Sequence, residues 1–203
     1  PDAEVKYKDG DGEHFRLPCQ STDKLLLFTA SGRVHTLTAD KLPGGRGQGE
    51  PLRLLVDLAA ADKAIELRIS AKDEQLILAS SDGRGFKIAS EACVAQTKTG
   101  RQVMNPASGA SLMLVITAVG DHVAVIGDNR RLLIFALDEL PEMTRGRGVM
   151  LQRYKDGGLS DLVTIVLEEG LSWASGERTR TERDLTTWLG KRAASGRQPP
   201  HGF

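Results

Sequence analysis

The chain has 203 residues with 27 basic and 27 acidic side chains, so it has room for one large domain or two small ones and carries no net charge. Aromatics are only 4% and glycine fills 22 positions, about 11% against a usual ~7%, which argues against a helical bundle and for many tight turns. The longest apolar run, residues 112–119, is far short of the ~20 needed to cross a bilayer, and no charged-then-apolar leader opens the chain, so a soluble protein with no membrane span is expected.

Cys19 and Cys93 lie far apart, with no CxxC and no nearby histidine pair, so neither a zinc site nor a disulfide framework is signalled. Both are read as small core residues in a reducing cytoplasm. The chain opens at Pro1 rather than Met. The expectation is a C-terminal piece of a longer protein, with any catalytic part elsewhere.

Short strand-like runs dominate, and each ends at a turn signal. Leu25 to Thr29 precedes Ser31-Gly32, Gln75 to Ala79 precedes Asp82-Gly83, and His122 to Ile126 precedes Gly127-Asp128-Asn129-Arg130. The return arms include Val34-His35-Thr36-Leu37 and Leu132-Leu133-Ile134-Phe135. These are hairpins whose first arms are apolar almost throughout, the pattern of strands buried on both faces. Residues 181–195 have room for a turn or two of helix, and the tail from Ser195 to Phe203 is expected to be loose.

The hairpins repeat. Gly32, Gly83, Asp128 and Gly176 are spaced by 51, 45 and 48 residues, and Gly100, Gly148 and Gly196 by 48 each. Behind each hairpin lies a Gly-rich basic loop: residues 45–49, 98–101, 145–148 and 190–192. A period in this range with about four short strands per unit predicts an all-β, propeller-like array of about five blades rather than a sandwich. The whole chain, 1–203, reads as one such domain. Residues 1–24 supply the second half of a first blade, 25–74, 75–120 and 121–170 are blades, and 171–203 are a last blade with its tail. Whether the two partial units complete one blade by closing the ring stays open.

Zero net charge hides a segregation. The four Gly-rich loops and their flanks, within 44–53, 97–102, 144–155 and 190–198, sum to +10, whereas residues 156–169 come to −4 and residues 1–23 to −3. Equivalent loops of a repeat fall at equivalent places, so the basic loops should form one band suited to a polyanion. Arginine grips two phosphate oxygens at once, and glycine beside it lets backbone amides approach the phosphate. The candidate contacts are Arg46, Lys98, Arg101, Arg145, Arg147, Lys191 and Arg192, with Arg33, Arg84, Arg130 and Arg131 at hairpin tips as a secondary group. Only Tyr154 brings an aromatic near these loops, so contact with a duplex backbone is favoured over stacking on single-stranded bases.

Catalytic patterns are missing: there is no GxSxG, HExxH or Walker-type phosphate loop, and His14, His35, His122 and His201 are scattered. His35, alternating with Val34 and Leu37, is placed on a strand face. Asp9 and Asp11 around Gly10 lack the remaining spacing of a calcium loop. The chain is expected to be non-catalytic and to need no cofactor.

Residues 42–52 (LPGGRGQGEPL) resemble the corresponding loop in the C-terminal domain of the A chain of bacterial topoisomerase IV. Residues 81–86 (SDGRGF), and 133–148 from Leu133-Ile134-Phe135 through Asp138-Glu139-Leu140-Pro141 to Arg145-Gly146-Arg147-Gly148, resemble later blades of that domain. The resemblance implies a β-pinwheel, a disc whose blades exchange strands and whose rim binds and bends duplex DNA. It also implies a separate catalytic core, where a tyrosine attacks DNA with Mg²⁺, and an ATPase subunit, so that Mg²⁺ and ATP belong to the full enzyme. A bacterial cytoplasmic, nucleoid-associated location follows from the same likeness. The related gyrase domain carries a Gln-Arg-Arg-Gly-Gly-Lys-Gly box; residues 44–49 (GGRGQG) lack its paired arginines and lysine, which favours the topoisomerase IV likeness. The alternative on the residues alone is a propeller-like protein-interaction scaffold without DNA binding.

Overall fold

The computed structural model describes residues 7, 9–10, 12–44 and 49–203. It is all-β apart from one helical turn, α1 (Leu52–Leu55), and a few 3-10 turns. The first sheet has the order β3 (Ala64–Ile69), β1 (Lys24–Thr29), β2 (Arg33–Thr38), β6 (Arg101–Gln102). The second has the order β10 (Val149–Met150), β5 (Arg84–Ala89), β4 (Gln75–Ser80), β7 (Leu112–Thr117). A third is built from β11 (Leu159–Ile165), β8 (His122–Gly127) and β9 (Leu132–Ala136), and the hairpin β12 (Leu171–Ser175), β13 (Arg178–Glu182) forms the fourth. The described residues 12–23 form no strand.

In the first two sheets, a hairpin is flanked on one side, its inner side, by the six-residue strand that ends its own repeat, and on the other, its outer side, by a short strand from the following repeat. Thus β6 joins β2 and β10 joins β5, both antiparallel. The third sheet is completed in the same way by two bridges, Leu132 with Arg197 and Ile134 with Leu189. Each of these three sheets therefore borrows from the unit after it.

The first arms of the second and third hairpins are apolar on both faces because their sheets are packed on both sides. Leu26, Phe28 and Val34 of the first sheet share a cluster with Leu76, Leu78, Phe86 and Ile88 of the second. The other face of the second sheet, with Ile77 and Ala79, packs on Val123, Val125, Leu133 and Phe135 of the third. Ala124, Leu132 and Ile134 then meet Leu171, Leu185 and half-buried Trp173. A fully buried side chain of this size contributes about 1.5–3 kcal/mol, so these three interfaces carry the fold.

At the hairpin tips, Gly32 and Gly83 have φ of +79° and +76°, and their N–H groups donate to Thr29 and Ser80 carbonyls. In the third hairpin the equivalent bond runs from Arg130 N–H to the Gly127 carbonyl, and Arg130 itself takes φ +54°. The repeat register at that turn is thus set by Arg130, not by Asp128. Tyr154 sits against both Gly83 and Gly127, where a methyl group at either glycine would strike its ring.

Three further expectations are corrected. Residues 181–195 are not helical: Leu185–Leu189 makes a single turn, after which the backbone returns to β9. The tail is held, not loose. Trp173 Nε1–H donates to the Gly202 carbonyl at 2.7 Å, and the Phe203 ring lies 5.2 Å from that of Trp173. Of the cysteines only Cys93 is a core residue, while Cys19 is exposed.

Burial pushes the Cys93 thiol up to about 12 from an ordinary 9.0, with the Arg101 charge pulling the other way. A thiol that stays protonated in the fold but ionises when unfolded gives stability below its unfolded value. That stability is lost as the pH rises from about 9 towards about 12. At pH 8 a thiol reagent should therefore label one cysteine in the native chain, Cys19, and two in urea; equal native labelling of Cys93 would contradict its burial.

Candidate nucleic-acid interface

The exchanged segments give the basic loops their geometry. A Cβ on Gly100 would stand 2.6 Å from the Val34 carbonyl oxygen, one on Gly148 2.7 Å from that of Gly85, and one on Gly196 2.6 Å from that of Leu132. The periodic glycines let each loop press its backbone onto the preceding hairpin. The glycine period is thereby explained by protein contact before any ligand is considered.

The segments also join each other in series. Asn105 N–H donates to Gly146 and Gly146 N–H to Val103, joining the loop after β6 to the loop before β10. Further on, Ala193 N–H donates to Leu151 and Arg153 N–H to Ala194, joining the region after β10 to residues 193–194. Residues 101–105, 144–153 and 190–197 form one hydrogen-bonded strip along the outer edge of three sheets.

The candidate cations fall into two groups. Arg33 Nη1 donates to the Thr99 carbonyl at 2.8 Å and to that of Gly100 at 3.4 Å, and Arg84 Nη1 to that of Gly148 at 3.4 Å. Arg192 donates through Nε to the Glu139 carbonyl at 3.1 Å and through Nη1 to that of Met150 at 2.7 Å, while its N–H reaches the Glu139 carboxylate. Arg130 Nη2 reaches the Phe203 carbonyl at 3.4 Å. These guanidinium groups fasten one repeat to another. His35, 1% exposed, adds to the fastening, with its Nδ1–H donating to the Lys98 carbonyl at 3.1 Å.

Lys98, Arg101, Arg145, Arg147 and Lys191 are exposed, and among the described residues none of their side chains makes an ion pair or hydrogen bond; Arg131 is exposed in the same way. Arg46 lies outside the described residues. Arg197 and Arg153 are absent from the contacts that the sequence predicts, yet both are exposed on the strip. Arg197 carries a signal: it follows Gly196 as Arg101 follows Gly100.

Beneath the strip, burial and the Asp128 charge push the Tyr154 phenol above its ordinary range, so the ring is a neutral wedge at neutral pH. Among the described residues no three of His, Cys, Asp and Glu gather as metal ligands, and no helix is long and apolar enough to cross a membrane.

A serial array of blades that exchange their outer strands, with unpaired cations along that outer edge, defines a β-pinwheel-type domain. A family model described as the DNA gyrase C-terminal domain, a beta-propeller, matches residues 23–64 and 121–166. The A chain of DNA topoisomerase 4 from Rickettsia bellii is 44% identical over 98% of this chain, and that from Caulobacter vibrioides 44% over 99%. The Escherichia coli ParC C-terminal domain has the same fold, with a TM-score of 0.86 at 23% identity, covering 98% of this chain and 85% of that one. The chain belongs to the family of C-terminal domains of the topoisomerase IV and gyrase A chains. It spans about a quarter of its curated relatives, 27% of the Rickettsia protein and 26% of the Caulobacter one.

The two groups of cations should separate in stability measurements. Arg33→Ala and Arg192→Ala should each cost about 1 kcal/mol, since a charged donor to a carbonyl is lost at a half-exposed position. Arg145→Ala with Arg147→Ala should stay within about 0.5 kcal/mol. Urea unfolding of the three variants checks this.

Proposed function

We propose that this chain is the non-catalytic, duplex-DNA-binding module of a bacterial type II topoisomerase, bending DNA along its outer edge so that a separate core can pass strands in decatenation and relaxation. Its partners in this reading are duplex DNA, the catalytic core that shares its polypeptide, and the ATPase subunit, in the cytoplasm at the nucleoid. The observation that carries the reading is the hydrogen-bonded strip, on which Arg101, Arg145, Arg147 and Lys191 stand exposed without protein partners among the described residues.

The backbone strip sets the spacing of the cations, and the arginines supply bidentate grips on phosphate. Loop arginines that track the backbone grip phosphate oxygens, which carry no sequence information, so binding is expected to ignore sequence. Arg33, Arg84 and Arg192 act here as positioning residues that hold the loops from below. Lys98 extends the strip toward residue 57, whose N–H donates to the Lys98 carbonyl.

Duplex affinity should fall steeply with salt, each phosphate contact adding about −0.9 to the log–log slope. Four to six contacts, an order-of-magnitude count, give a slope of about −4 to −5. Arg145→Ala with Arg147→Ala should make it shallower by about 2 and weaken all sequences alike, with unfolding unchanged. Electrophoretic shifts across a salt series measure both, and a slope near zero for the unmodified chain would falsify the DNA reading.

A further inference from the structure

The inner strands β3, β7 and β11 stand in series, each against the first arm of its own hairpin. Side chains link them. Arg68 of β3 donates to the Val115 carbonyl at 3.3 Å and to the Thr117 hydroxyl, and Thr164 of β11 donates to the Thr117 carbonyl at 3.3 Å. The fourth hairpin breaks the series: among the described residues β12 pairs with β13 and with no inner strand.

The unfilled place is marked on β11. Ile116 of β7, opposite Ile77, packs into the second core cluster. Val163 of β11 holds the matching position opposite Ala124, on the face toward the fourth sheet, yet it is 44% exposed. Val119 and Val166 beside it are 57% and 38% exposed. With Ile165, Gly170 and Leu171 they line a groove of about 340 Å³ that runs along the start of β12. Glu169 also lines it, Glu168 adjoins it, and no cation pairs with either among the described residues.

We infer that this groove receives an extended segment of a partner protein, with apolar residues at alternate positions and a flanking lysine or arginine, which adds to β12 as its inner strand. The unpaired edge of β12 supplies backbone hydrogen bonds, the exposed valines take alternate side chains, and the glutamates select the cation. Charge favours a basic segment, because Glu169 lines the groove and Glu168 adjoins it, with no cation paired to either among the described residues. DNA is repelled by the −4 of residues 156–169. The groove is thus independent of the basic strip.

The test titrates the 203-residue chain with a fluorescent peptide, Lys-Val-Thr-Val-Thr-Val-Lys, following anisotropy and amide hydrogen exchange. Saturable binding is expected, with slowed exchange over residues 171–175. The same peptide with Glu in place of both Lys should bind at least about tenfold more weakly, a difference of ~1.4 kcal/mol. Val163→Lys with Glu169→Lys, both at exposed positions, should weaken the Lys peptide by a similar factor while leaving the unfolding midpoint unchanged. Absence of saturable binding, equal binding of the two peptides, binding indifferent to the double substitution, or a dimer already protected at residues 171–175 would each overturn the inference.

Discussion

Three of the four hairpins of this protein are finished by backbone from the repeat that follows, and that single constraint organises the rest. The donated segment must lie close enough to hydrogen-bond the return strand, which requires a residue without Cβ at the crossing. Gly148 shows the requirement: with φ +79° and the Gly85 backbone beneath it, any side chain there meets both strain and collision. The crossings fix where the flanking loop residues emerge. The cations of the outer edge are therefore spaced by backbone geometry rather than by their own contacts.

The arginines divide accordingly. A guanidinium that can reach a carbonyl of the borrowed segment is spent there, as at Arg33 and Arg192. One that points off the strip, as at Arg145 and Arg147, has no acceptor among the described residues. Arg33 follows Gly32 and Arg147 follows Gly146, so a Gly-Arg pair by itself does not distinguish fastening from ligand contact.

The hairpins were legible because apolar first arms and Gly-containing tips are local features, and they locate β1, β2, β4, β8 and β9 to within a residue or two. What was not legible depends on distant partners. The roles of Arg33 and Arg84 follow from carbonyls more than sixty residues away. The tail gives no local signal of order, yet Trp173 and the third cluster hold Phe203. His35 reads as a face residue and proves buried, because its ring lies under the crossing at Gly100. The glycine period is visible in sequence, but its cause is not: amides approaching phosphate and backbones crossing backbones ask for the same residue.

An exchange running always from one repeat to the one before it gives the array a direction and two unlike termini. At the front, Gly49 has the same positive φ, +72°, as Gly100 and Gly148, but no hairpin precedes it among the described residues and nothing lies within 4 Å of where its Cβ would be. At the back, β13 presents a return edge that no strand takes among the described residues. Among the described residues every crossing passes backbone to the preceding hairpin and none passes it forward, so a change at one crossing loosens the repeat before it rather than the one after.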